Sequence, residues 1–211
     1  MEIQSRVLSA IDYGADGRFD ESLNAICPAL EATARKKLGK HKVTRHDYIG
    51  FLRKYYWLIE FFIGEGMNLV ETKFPSMKIE TDNGKTIEAP DLAEIVYHQY
   101  RCALAHGFDI PATFKLVKTV EPGRHVWKIR LNGSQLNAPE ATLWALIAVV
   151  VFCDANSDLT TETDHFLTWG GGPRAIYKFP IKDHWGEEAM LASFLSQFDR
   201  IRVKLDFQPS E

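Results

Sequence analysis

Residues Ala141–Cys153 read ATLWALIAVVVFC, an apolar run broken only by Thr142. A helix that is apolar on every side belongs inside a packed structure, and this run is too short for the ~20 residues that a bilayer crossing needs. The segment is therefore read as the central buried helix of a helical protein. The other elements must supply amphipathic faces to cover it.

On its C-terminal side a polar loop runs from Asp154 to Asp164, and Gly170-Gly171-Gly172-Pro173 forms a turn. A short extended piece near Ile176–Phe179 follows. A last helix from about Glu187 to Val203 carries Met190, Leu191, Phe194, Leu195, Phe198 and Ile201 on one face. The triple glycine is followed by Pro173 and not by Lys and Ser or Thr, so it is no phosphate loop.

Five segments precede the central run. Phe19, Leu23, Ile26, Leu30, Ala34 and Leu38 recur at helical steps, which predicts a helix over about 20–37 that stops at Gly39. Pro28 lies inside it and predicts a kink or a break into two helices. Thr44 and Asp47 form a capping-box pattern that opens a long aromatic helix through Tyr48, Phe51, Leu52, Tyr55, Leu58, Ile59 and Phe62, ended by Gly64 and Gly66. The spacing of the aromatics makes them core and not a base-stacking surface.

Pro90, Asp91 and Glu94 open a further helix toward Ala105, with Gly107 as its stop. Two hairpins separate these helices. One lies near 77–88 around Asn83-Gly84, and the other near 113–132 around Glu121-Pro122-Gly123-Arg124. The fold class expected is mainly α: a bundle of about five helices with two inserted β-hairpins, in a single domain over 1–211.

Composition excludes several function classes. At 211 residues, 45% hydrophobic and 25% charged, the chain is an ordinary globular one, and its net charge of -3 does not mark a nucleic-acid binder overall. Cys27, Cys102 and Cys153 are odd in number and far apart, which argues against a disulfide framework and for a reducing, cytoplasmic setting. The opening MEIQSRVLSAIDYG lacks signal-peptide character, and the sequon Asn132-Gly133-Ser134 carries no weight in such a chain. No membrane association is expected.

Two groups of residues can carry chemistry. In the helix Ala93–His106, Arg101 and His106 stand five residues apart, roughly 140° and about 7.5 Å on a regular α-helix. A phosphate is large enough to touch both if the helix end unwinds. Arg offers a rigid donor fork for an oxyanion, and His titrates near neutral pH. The ordinary alternative is a surface ion pair for Arg101 and a C-terminal cap for His106.

The second group is a basic connector, Arg35, Lys36, Lys37, Lys40, Lys42 and Arg45 with His41 and His46 among them, suited either to an RNA backbone or simply to solvent. A smaller basic cluster, Lys115, Lys118, Arg124, Lys128 and Arg130, lies on the second hairpin. His98 and Cys102 have metal-compatible spacing but no third ligand, so no metal and no cofactor is assigned.

The block Tyr97-His98-Gln99-Tyr100-Arg101-Cys102-Ala103-Leu104-Ala105-His106 resembles the R-x4-6-H signature of the HEPN superfamily of helical ribonucleases and RNA-binding domains. Gly17–Ala32 is similar to that family's opening helix, which presents Ala, Leu and Glu. The resemblance covers roughly residues 8–154.

It implies a homodimer with a shared RNA groove, Arg101 as phosphate binder, His106 as general base in metal-independent cleavage of single-stranded RNA, and His98 as an accessory group. Cys102 departs from the polar residue that usually follows the Arg, and Phe108 stands where some members carry Tyr. Both departures favour the alternative implied by the same resemblance, a non-catalytic dimerisation or binding domain with a structural His106.

Overall fold

The computed structural model describes residues 2–63, 67–81, 84–102, 114–118, 120–121, 124–125, 129–132, 135–170 and 175–198. Among these it is mainly α, with seven α-helices where about five were expected. The central helix is as read: α6, Ala141–Phe152, buries every residue except Trp144. Fully burying one Val, Leu or Ile side chain contributes roughly 1.5–3 kcal/mol, so this one segment supplies a large part of the core.

Its jacket is built from α1 (Ile3–Ala15), α2 (Phe19–Leu38) and α4 (Tyr56–Ile63). The sequence reading assigned no helix to 3–15, although Val7, Ala10, Ile11 and Gly14 form its buried face. Gly14 lies flush against α6: a Cβ there would sit 2.9 Å from Leu143 Cδ2.

The α2 helix corrects one expectation, because it runs unbroken through Pro28. Proline removes a single backbone donor, and the carbonyl it deprives belongs to Asn24, which is exposed and can turn to water. Leu23, Ile26, Cys27 and Leu30 are buried on both sides of the proline and hold the helix in line. Its end is as predicted. Gly39 takes the left-handed conformation at φ +63°, and the Lys40 N–H donates back to the Arg35 carbonyl at 3.1 Å.

The long aromatic helix is two helices. Thr44 and Asp47 form the expected reciprocal capping box for α3, Arg45–Lys54. At Tyr55 the N–H bonds to the Leu52 carbonyl, three residues back, at 3.0 Å, and this tightened turn separates α3 from α4. Neither proline nor glycine marks the place.

The helix after Pro90 begins with a second capping box, Asp91 with Glu94, so Pro90 precedes the cap and does not occupy the first turn. Only Leu92–Ile95 is α-helical (α5). From Val96 to Cys102 the backbone is a π-helix.

Four small sheets complete the described fold. β1 (Lys78–Glu80) pairs antiparallel with β2 (Thr86–Glu88), the predicted first hairpin, with Ile79 opposite Ile87. The second predicted hairpin is only partly a hairpin. β4 (Val120–Glu121) and β5 (Arg124–His125) pair around the expected turn. However, β3 (Phe114–Val117) pairs parallel with β7 (Gln135–Pro139), which also takes β6 (Arg130–Asn132) on its other edge.

β7 separates the two predicted arms because Leu136 and Ala138 bury completely, making it the apolar centre of that sheet. In the β6–β7 register Asn132 lies opposite Gln135, and Gly133 and Ser134 of the sequon lie outside the described residues. Last, β8 (Phe166–Trp169) pairs with β9 (Tyr177–Pro180), and α7 spans Glu188–Leu195. No helix among the described residues is long and apolar enough to cross a membrane.

Candidate functional site

The π-helical stretch Val96–Cys102 carries Arg101, and contacts from other elements hold it. The Asp91 cap is anchored by Arg53 and Lys73, whose nitrogens lie 2.7 and 3.0 Å from the same carboxylate oxygen. Tyr100 on this stretch is fully buried and packs edge-on to Phe114 at 5.1 Å. With its base pinned and Tyr100 inside, the segment presents Arg101 toward α2.

There the guanidinium meets Glu31 in a two-bond fork. Nε donates to Oε2 at 3.1 Å and Nη2 to Oε1 at 3.2 Å. The two side chains are 25% and 27% exposed, so the pair sits at the edge of solvent and not within the core. Such a planar fork is the geometry with which Arg grips carboxylates and phosphates alike.

The guanidinium carbon also lies 5.6 Å from the centre of the Tyr97 ring, at cation–π distance. Tyr97 leans on Tyr48 at 5.4 Å and meets the half-buried His98 edge-on at 5.0 Å. One turn before Glu31, the Cys27 thiol is pushed up to about 12 by burial, against the opposing pull of Tyr48 and the Arg101 charge.

A π-helix closes its hydrogen bonds from residue i to i+5. His106 and Phe108 lie outside the described residues, as does the side chain of Cys102. Arg101 and His98 share the π-helix; the relation of Arg101 to His106 rests on sequence.

A family model described as Rv1289 matches residues 2–210. The chain belongs to the Rv1289 family. No curated protein and no solved structure matches it.

The basic connector of this Rv1289-family chain divides into two halves. Lys36 pairs with Asp158, and Lys37 reaches Asp154 at 2.5 Å and Glu188 at 3.4 Å. Lys40 bonds Asp47 at 2.6 Å and, with Thr44, holds that carboxyl down to about 2. These three lysines clamp the end of α2 to neighbouring elements. Arg35, Lys42 and Arg45 are exposed, as are His41 and His46. Arg35 follows Glu31 by four residues and so lies on the same face of α2.

A further polar cluster of the family fold sits where α6 ends. The Tyr55 hydroxyl lies 2.7 Å from Glu188 Oε2 and 3.1 Å from Cys153 Sγ, and the Asp154 N–H donates to the same Glu188 oxygen at 3.2 Å. Ligand atoms of Cys153, Asp154 and Glu188 lie within 4.8 Å of one another. The Lys37 ammonium occupies the position of a counter-cation to both carboxylates. Burial pushes the Cys153 thiol up. This arrangement ties α2, the α3–α4 junction, α6 and α7 together.

Sequence reasoning singled out neither cluster partner. Glu31 entered only as one residue of the opening-helix block, and nothing in a sequence links it to an arginine 70 positions away. Cys153 was read simply as the end of the buried helix, and Tyr55 as one more core aromatic.

Proposed function

We propose that this chain is a HEPN-like RNA-binding domain that acts as a homodimer and cleaves single-stranded RNA without a metal ion, with Arg101 and His106 in the groove. One observation carries the reading. Glu31, in the block Gly17–Ala32 that resembles the family's opening helix, grips Arg101, in the block Tyr97–His106 that resembles its signature, through two hydrogen bonds.

In this reading His106 takes the proton of a ribose 2′-hydroxyl. The 2′-oxygen then attacks the adjacent phosphorus, and the bond to the 5′-oxygen of the next nucleotide breaks. The leaving oxygen takes up a proton, and the product carries a 2′,3′-cyclic phosphate. Arg101 stabilises the added negative charge on the phosphorane oxygens. His98 is an accessory group on the same helical stretch, and Arg35, Lys42 and Arg45 track the RNA backbone.

A second reading is favoured by the same ion pair. Glu31 already neutralises Arg101, and Cys102 replaces the polar residue of active members. A non-catalytic HEPN-like dimerisation or binding domain, with a structural His106, fits both facts.

The two readings separate in a cleavage assay on mixed single-stranded RNA in excess EDTA, with His106→Ala as the control. Cyclic phosphate ends that disappear in the variant support the enzyme. Binding without cleavage, equal in both proteins, supports the scaffold. A strictly monomeric chain with no affinity for RNA rejects both.

A further inference from the structure

We infer that Glu31 is an internal stand-in for the phosphate: its carboxylate closes the Arg101 anion site in the unbound protein, and an incoming phosphodiester must displace it. The ligand's identity as RNA rests on the reading above. The displacement itself rests only on the Glu31–Arg101 geometry.

Three observations lead here. First, the fork takes up Nε and one terminal nitrogen of Arg101, which is the guanidinium edge that also grips a phosphate through two oxygens. One edge cannot hold both acceptors. Second, the pair is about one-quarter exposed on each side, so a solvent-borne anion reaches it without opening the core.

Third, Arg101 is supported independently of Glu31. The Tyr97 ring backs the guanidinium at 5.6 Å, and the π-helix continues from α5, whose start is fixed by the Asp91 cap, and is held at Tyr100 by complete burial. Loss of the Glu31 bonds therefore leaves Arg101 near its place. Once released, the Glu31 carboxylate stays on a half-exposed face of α2, one turn from the positive charge of Arg35.

The consequence is a site whose affinity is set by exchange of one anion for another. In the wild type, the cation released from an RNA phosphate is offset by one taken up by the freed carboxylate. A neutral Gln at position 31 abolishes that offset.

The test uses the full chain in EDTA with two probes. The first is inorganic phosphate, followed at the Nε–H resonance of Arg101 by NMR. The second is a 2′-O-methyl RNA oligonucleotide, which has no 2′-hydroxyl to react, followed by fluorescence anisotropy at several salt concentrations.

Glu31→Gln is expected to bind both probes about five- to tenfold more tightly than the wild type. Its log-affinity against log-salt slope should be steeper by about one for the RNA. Adding Arg101→Ala should abolish both gains. Glu31→Ala serves as a second variant, and thermal unfolding of each protein confirms that it is folded.

If Glu31→Gln gains no affinity for phosphate or binds RNA more weakly, Glu31 merely orients Arg101 and the inference is overturned. If the Arg101 resonance titrates with phosphate only once Glu31 is neutralised, while no protein binds RNA, the closed anion site stands and the RNA reading falls.

Discussion

Tyr55 and Glu188 share a 2.7 Å hydrogen bond that ties the junction of α3 and α4 to the first turn of α7. Tyr55 is 2% exposed, so its hydroxyl has little access to water if that partner is lost. Tyr55→Phe deletes the bond and leaves Glu188 with Lys37 and the Asp154 N–H. It should lower stability by about 2 kcal/mol, the range of hydrogen bonds to charged groups. Urea unfolding checks this through a lower midpoint at constant slope.

Asp91 gives the protein an acid limb. Burial pushes its carboxyl up, but the Glu94 N–H, Lys73 and Arg53 together outweigh burial and hold it below the usual range. Its folded pKa is thus lower than the unfolded value of about 3.9. The associated stability is present above that value and is lost as pH falls through the folded pKa. Asp91→Asn should flatten the decline in stability below about pH 4. Denaturant titrations between about pH 2 and 7 test it; an unaltered decline would assign the limb to other carboxylates.

Two glycines with left-handed backbones should respond differently to alanine. Gly39 (φ +63°) has nothing within 4 Å of an added Cβ, so Gly39→Ala should cost about 1 kcal/mol of backbone strain. At Gly186 (φ +78°) the same carbon would sit 2.4 Å from Ser157 Cα, and Gly186→Ala should cost about 3 kcal/mol or more. Equal midpoints for the two variants in thermal unfolding would contradict the close approach at Gly186.

The Cys27 thiol, pushed up to about 12 by burial, is almost entirely protonated at pH 8 and shielded from reagents. Iodoacetamide should leave it unmodified in the folded protein and alkylate it after denaturation. Peptide mass spectrometry reads both states. Rapid labelling without denaturant would show that the α2 face beneath Glu31 opens readily.

The divided connector predicts a division of effects. Replacing Arg35, Lys42 and Arg45 together by Ala should weaken RNA binding and reduce the salt slope by about three while stability changes little. Replacing Lys36, Lys37 and Lys40 should lower the unfolding midpoint, because their partners Asp158, Asp154, Glu188 and Asp47 hold α2 to its neighbours. An equal loss of RNA affinity in both triple variants would remove the distinction.

Local chemistry was legible in the sequence, and long-range geometry was not. The α2 stripe ending at Gly39, the capping box at Thr44, the hairpin around residue 84 and the all-apolar α6 each depend on neighbours within a few positions. The π-helix carries no comparable mark. Its capping box and apolar residues serve an α-helix equally well, and the choice between them depends on where Tyr100 can be buried.

The parallel pairing of β3 with β7 was hidden for a different reason. The glycosylation sequon at Asn132 says nothing of strand pairing, and no pattern in the sequence sets β7 between β3 and β6. In the candidate site, Arg101 could be singled out because its type and position match a pattern. Glu31 became meaningful only when the fold set it against that arginine.

The enclosure of α6 has a consequence for how this protein comes apart. A helix with one solvent-facing side can remain formed while its neighbours fray, but α6 has no such side: only Trp144 is less than fully covered. Detaching α1, α2 or α4 would bare apolar surface along its length, so these elements are expected to be lost together with it. The amides of Ala145–Val151 should then exchange with solvent only when the whole jacket opens, and their exchange rates would report the global stability of the molecule.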